Sequence, residues 1–240
     1  MNRMNNFDFI LWRRVVSDSI DVTLGNIYAK MHKHFGPQNR WLAETPLEMM
    51  IGAILGQNSS WVNVDKALAS LREAKLLEVE KILTTPLDRL ADYLRPAGYY
   101  NIKAQRLRNL CQCINDLTGG NVEKFLAFDQ VELREILVSV KGIGPETADS
   151  ILLYAAGQPV FIVDSYTFRI FYRHQLLADS VTYYELQELF MDNLSHDVQT
   201  FHEYHALLVL VGKKFCRKSH PLCSKCPLQE YAGWVPSVEE

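Results

Sequence analysis

The chain has 240 residues, with 25 Lys and Arg against 28 Asp and Glu for a formal net charge of −3, and 48% of its residues are hydrophobic. These are ordinary globular values that argue against a histone-like coat of positive charge, and the length suits one large domain or two small ones. No apolar run approaches the roughly 20 residues of a membrane span. The opening MNRMNNFDFILWRR lacks the apolar core and small-residue cleavage site of a signal peptide, so a soluble, cytoplasmic protein without a membrane partner is expected.

The first predicted helix covers 18–35, with Ile20, Leu24, Ile27, Tyr28 and Met31 as its apolar stripe, and Gly36-Pro37 closes it. Trp41 sits in a short connector. Thr45-Pro46-Leu47-Glu48 is a capping-box pattern with Pro at the first helical position. The helix it opens, through Met49, Met50, Ala53, Ile54 and Leu55, is apolar on most sides and reads as buried. It ends in Gly56-Gln57-Asn58-Ser59-Ser60, where a new helix can begin with Trp61. Helical patterns follow at 61–73, 76–83, 87–94, 101–117 and 121–127, and the 101–117 helix carries Lys103, Arg106 and Arg108. Leu133, Ile136, Leu137 and Val140 mark one face of a further short helix. After Gly142-Ile143-Gly144 comes a helix-compatible run from Pro145 to Ala156, then the apolar segment Val160 to Val163 ending in Asp164. The last helices fall near 165–174, 181–193 and 197–212. Alternating strand patterns are nearly absent, so the predicted fold class is all-α.

The two helices around Gly142 and Gly144 form a hairpin. Glycine tolerates positive φ and lets another backbone come close, and Pro145 starts the second helix with its N–H groups and positive dipole end available to a phosphate. The glycines alone fit an ordinary αα-corner as well. Asp164 adds a second feature, 20 positions after Gly144. It would be delivered from an apolar wall, and it can also cap the helix starting at Ser165.

Five cysteines are an odd number, and three of them, Cys216, Cys223 and Cys226, stand in C-x6-C-x2-C spacing near the C-terminus. That argues for metal binding over a secreted disulfide framework. Cys111 and Cys113 are two apart on a predicted helix, face different ways, and do not share a ligand role. From Tyr204 to Gln229 there is no Asp or Glu, while Lys213, Lys214, Arg217, Lys218 and Lys225 lie inside that stretch. A solvated basic loop and a phosphate-facing patch both fit.

Taken together, V-K-G-I-G-P-E-T-A-D at 140–149, P-V-F-I-V-D-S-Y-T-F-R at 159–169, L-G-Q-N at 55–58, G-Y-Y-N-I-K-A at 98–104 and the C-terminal cysteines resemble the endonuclease III, or helix-hairpin-helix, superfamily of DNA glycosylases. The resemblance implies a six-helix barrel over 38–158 and a second helical domain from 1–37 and 159–240, with the substrate cleft between them. It implies that Asp164 is the catalytic carboxylate in cleavage of an N-glycosidic bond on a flipped nucleotide. The expected partner is double-stranded DNA with a damaged base, bound by a monomer. Gln57 matches the family residue that fills the gap left by the flipped base, although as a polar loop residue it can equally cap the next helix. Lys141, Gly142 and Gly144 would meet the DNA backbone.

Bifunctional members carry a lysine at the second position of the hairpin's second helix. Here that position is Glu146, and without an amine nucleophile β-elimination has no covalent route, so a monofunctional enzyme is expected. K-G-I-G-x-E, with the Asp 18 residues after the Glu, is similar to the 3-methyladenine DNA glycosylase III branch. By that resemblance Trp41, Trp61 and Glu146 shape a base pocket that selects a cationic purine by stacking between indoles; core packing is the alternative role for both tryptophans. A different lesion, oxidised or mismatched, and a non-catalytic DNA-binding module remain open. Cluster-bearing members show a fourth cysteine where this chain has Ala232. A [4Fe–4S] cluster on three cysteines, with His220 as a conceivable fourth ligand, zinc on Cys3His, and a metal-free loop are the three alternatives.

Overall fold

In a computed structural model the structure describes residues 19–38, 43–177 and 180–231, so Trp41 and Ala232 lie outside the described residues. Among the described residues the regular elements are all helical. In chain order they are α1 (Ile20–Phe35), α2 (Pro46–Gly56), α3 (Trp61–Glu73), α4 (Val79–Thr84), α5 (Leu87–Tyr93), α6 (Tyr100–Thr118), α7 (Val122–Leu126), α8 (Gln130–Ser139), α9 (Pro145–Tyr154), α10 (Ser165–Arg173), α11 (Tyr183–Asn193) and α12 (Val198–Lys214). No helix among them is long and apolar enough to cross a membrane. The chain divides into two compact units, one made of Met1–Asn39 with Val160–Glu240 and the other of Arg40–Pro159.

The Arg40–Pro159 unit is built around α2. Met50, Ile51, Ile54 and Leu55 are fully buried, and each such side chain contributes about 1.5–3 kcal/mol relative to exposure. Helices α3, α6 and α9 pack on it, with α4 and α5 against α6 and α8 against α9. Only half of the capping box forms at its start. Thr45 Oγ1 accepts from Glu48 N at 3.2 Å, but the Glu48 carboxylate accepts from Glu44 N and pairs with Arg72 on α3. A glutamate that is 1% exposed needs a cationic partner more than the helix needs a second cap arm.

In the other unit α1 and α10 pack on α12, and α11 packs on α1. The segment Val160 to Val163 is extended and buried, and Phe161 stacks on Phe190 with ring centroids 3.8 Å apart. Polar contacts join the ends of this discontinuous unit. Tyr28 Oη and Gln38 N donate to the Glu203 carboxylate, and Tyr204 Oη donates to Leu24 O. Close approach of α10 to α12 depends on Gly212, where a Cβ would lie 2.2 Å from Tyr166 Cδ1.

Candidate active site

Helix α8 stops at Ser139, and the turn that follows needs a left-handed residue, Gly142, at φ 102°. Position 142 requires glycine on a second count: a Cβ there would stand 2.4 Å from Arg106 Cγ. Ile143 is buried and anchors the turn, with its N–H donating to Val140 O at 3.0 Å. Gly144 differs. Its φ is −98° and a Cβ would meet nothing within 4 Å, so the chain's own packing does not demand glycine there. Pro145 opens α9, and Glu146, exposed, is its second residue. Lys141 is exposed as well.

The hairpin is braced by one face of α6. Lys103, Arg106 and Asn109 recur at three-residue intervals, which places them on one side of a helix. Lys103 Nζ donates to Leu55 O and Ala97 O, each at 2.8 Å. Arg106 Nη1 donates to Gln57 Oε1, and Asn109 Nδ2 donates to Lys141 O at 2.9 Å. Gln57 Nε2 continues the row, donating to Gly142 O at 3.1 Å and Thr147 Oγ1 at 2.9 Å. Gln57 therefore links the loop after α2 to the turn and to the second helix of the hairpin. It does not cap α3, because Ser60 Oγ accepts from Asn63 N instead. Trp61, half-buried, is the first residue of α3.

Lys103 is the least expected of these residues. In the sequence it reads as one basic residue among several on its helix, yet it is 1% exposed. Burial, with the Arg106 charge adding to it, brings its ammonium down to about 8. The missed signal was the spacing itself, since 103, 106 and 109 hold three side chains with donors on one stripe.

In the other unit Asp164 ends the buried Val160 to Val163 segment and is the N-cap of α10. Its Oδ1 accepts from Tyr166 N at 2.9 Å, Thr167 N at 2.8 Å and Thr167 Oγ1 at 2.9 Å. Its Oδ2 faces His205 of α12, whose Nε2 is 3.6 Å away. Burial pushes the carboxyl upward, but His205 and the Thr167 donors outweigh it and hold Asp164 below the ordinary aspartate value. Lys213, also on α12, is lowered by burial and drawn back up by the Asp164 charge. The arrangement is an ionised, buried carboxylate with one oxygen fixed by the helix cap and the other turned toward a basic helix face. The sequence pointed to Asp164 in both capacities but not to His205 beside it.

Near the end of that unit, Cys216, Cys223 and Cys226 line one pocket with Arg173, His174, Phe215 and Gln229. The pocket is partly open to solvent. Arg169 Nε donates to Cys216 O at 2.7 Å, and Arg173 Nη2 donates to Lys218 O at 2.9 Å, so α10 fixes the path of the cysteine loop. His220 is exposed and lies outside the pocket lining. Burial first, then the neighbouring Cys216 and Cys223, push the Cys226 thiol up to about 11; a cationic occupant would favour the thiolates. No three His, Cys, Asp or Glu among the described residues are arranged to hold one metal ion. Zinc thiolates sit about 2.3 Å from a common centre, whereas each cysteine of an iron–sulfur cube binds a different iron. Three cysteines that line one pocket without converging on a single point fit the cluster better than the ion.

Residues 51–196 match the HhH-GPD superfamily base excision DNA repair protein family. The chain belongs to the HhH-GPD superfamily. As an HhH-GPD protein it is a DNA glycosylase of base excision repair, with the all-α fold of that superfamily. The match takes in Gln57, Trp61, the hairpin and Asp164, and it stops before His205, Lys213 and the three clustered cysteines. Among relatives, MJ1434 of Methanocaldococcus jannaschii, named as a candidate DNA repair glycosylase, is 45% identical over 207 residues, covering 85% of this chain and 93% of that one. Endonuclease III of Sulfolobus acidocaldarius is 31% identical over 186 residues, covering 77% and 80%. Among solved structures, an endonuclease III–DNA complex superposes with a TM-score of 0.76 at 22% identity over 89% of this chain and 95% of that one. Helicobacter pylori 3-methyladenine DNA glycosylase bound to 1,N6-ethenoadenine superposes at 0.69 with 27% identity over 82% and 98%.

Proposed function

We propose that this HhH-GPD glycosylase is monofunctional, and that it removes alkylated purines such as 3-methyladenine from double-stranded DNA to leave an abasic site. The observation that carries the reading is Glu146, a carboxylate at the second position of α9, where a lyase needs an amine. A carboxylate there cannot form a Schiff base, so the strand stays intact. Asp164 is the catalytic group of the proposal. Bond cleavage develops positive charge on the sugar, and an ionised carboxylate stabilises that charge or orients the attacking water. The hydrogen bonds that keep Asp164 ionised while buried maintain it in the form the reaction uses.

The remaining site residues take supporting roles. The amides at the start of α9, with Gly142 and Gly144 beside them and Lys141 on the turn, would hold a phosphate. Gln57 would occupy the gap in the duplex, released from or acting through the contacts that join it to the hairpin. Trp61, with Trp41 and Glu146, would form the base pocket, where an indole favours a cationic purine by about 0.5–2 kcal/mol. The structural neighbour that binds 1,N6-ethenoadenine supports a pocket for a modified adenine. Cys216, Cys223 and Cys226 would hold a [4Fe–4S] cluster, which supplies a cross-link for the basic loop and takes no part in base removal.

The protein acting as a monomer on methylated duplex DNA is expected to release free 3-methyladenine, and its product is expected to break only after heat or alkali. A borohydride-trapped protein–DNA adduct, or direct nicking, would sink the monofunctional reading. The similarity to endonuclease III favours a second reading, removal of another lesion such as an oxidised base. A panel of oligonucleotides carrying single defined lesions separates the two.

A further inference from the structure

We propose that His174 is the fourth protein ligand of an iron–sulfur cluster bound by Cys216, Cys223 and Cys226. The inference rests on the cluster reading above and adds the ligand that the cysteine count leaves open, because the position six residues after Cys226 is Ala232.

His174 lines the same pocket as the three cysteines and is 8% exposed. It follows directly on α10, with its backbone N–H donating to Ile170 O at 3.1 Å, so the ring is mounted on a helix end and not on a loop. Nδ1 is buried and has no hydrogen-bond partner among the described residues. The backbone of Tyr231 lies near the imidazole and acts to raise its pKa against the effect of burial. A buried ring nitrogen with its lone pair unused is what a metal-bound histidine offers, the second nitrogen being left to an outer partner that sets the tautomer. A buried nitrogen with no partner is otherwise disfavoured.

Arg173, the preceding residue, approaches the same cysteines from α10, with Nη1 3.5 Å from Cys216 Sγ. The last turn of α10 thus presents both a cation and an imidazole to the pocket. His220 is the only histidine inside the cysteine loop, but it is exposed and absent from the lining. The bond formed would be a dative Fe–N bond from the Nδ1 lone pair to the iron without a cysteine, and no proton or electron is transferred in forming it.

The test uses the full chain with its cluster reconstituted anaerobically, in protein labelled with heavy-nitrogen histidine. Pulsed EPR of the reduced cluster is expected to show a directly coordinated histidine nitrogen in the wild type and in His220→Ala. That coupling should be lost in His174→Ala and in His174→Cys. His174→Cys should retain the iron and sulfide content and the visible absorption, since a thiolate replaces the imidazole. His174→Ala should lose iron to a chelator at least tenfold faster than wild type.

A wild-type cluster without nitrogen coupling would overturn the assignment, as would coupling that survives in His174→Ala. If His174→Ala does not fold, His174→Cys with its cluster intact and its nitrogen coupling unchanged overturns it equally. A wild type that takes up no iron and sulfide removes the cluster reading itself, and the ligand assignment falls with it. Base release by the metal-free protein tells that outcome apart from failure of the glycosylase reading.

Discussion

Arg106 lies across the face of Gly142, filling the space where any other residue would put its Cβ. The same guanidinium donates to Gln57, whose amide donates in turn to Gly142 O. The turn proposed to grip phosphate is therefore held from outside by α6, whose Asn109 also donates to Lys141 O. Gly142→Ala would meet both a left-handed φ, costing about 1–2 kcal/mol, and the Arg106 stem. The variant is expected to bind abasic-site DNA about tenfold more weakly, with a lower unfolding midpoint. Gly144→Ala, which meets open space, should leave stability unchanged. Equal thermal destabilisation by the two would refute this account of the turn.

Asp164→Asn separates the cap from the charge. Asparagine is as good an N-cap as aspartate, so unfolding free energy should change by under about 1 kcal/mol. Base release should fall at least a hundredfold, since the charge facing the sugar is gone. Retention of wild-type rates by this variant would remove Asp164 from the chemistry.

The same carboxylate sets a pH dependence. Its folded pKa is depressed below the ordinary value of 3.8, so the unfolded state takes up the proton first as pH falls. The stabilisation is complete above the unfolded value and is lost as pH drops through the folded one. The stability difference between wild type and Asp164→Asn should be constant from pH 7 to about 5 and then move against the wild type in stronger acid. Chemical denaturation across that range measures it.

Lys103 predicts a slope of the same sign at the alkaline end. Its folded pKa of about 8 lies below the unfolded value of 10.5, so between those values the unfolded chain binds more protons and stability rises with pH. Its two carbonyl partners still receive N–H donors from a neutral amine. Wild type should gain stability relative to Lys103→Met from about pH 8 to 10.5. A flat difference across that window would contradict the buried, depressed lysine.

Glu146→Lys tests why the strand stays intact. A lysine at the second position of α9 opposes the helix dipole by about 0.3–1 kcal/mol, too little to prevent folding. The variant is expected to form a borohydride-trapped adduct with substrate DNA that the wild type does not form. Trapping of the wild type to the same extent would show that another amine already serves.

The helices were legible because their signals are local. Thr45, Ser60, Asn121, Asp129, Thr182 and Asp197 each accept a hydrogen bond from the backbone two or three residues on, and the apolar stripes repeat within a turn. The helix predicted at 76–83 begins instead at Val79, with Glu78 as an N-cap that makes no side-chain hydrogen bond. Trp41 and Ala232, both called from the sequence, fall outside the described residues.

By itself the sequence determined that the chain is helical, that Gly142 turns a hairpin, that Asp164 can cap α10, and that position 146 holds no amine. Each of these depends on a residue's own side chain or on neighbours within about one helical turn. Only the tertiary structure decided that Lys103 is buried, that Gln57 is held by Arg106 and the hairpin, that His205 faces Asp164, and that His174 rather than His220 lines the cysteine pocket. Gln57 and Arg106, Asp164 and His205, and His174 and Cys216 are each separated by about 40 residues or more in the chain, and no local pattern encodes a distance that exists only after the helices have packed.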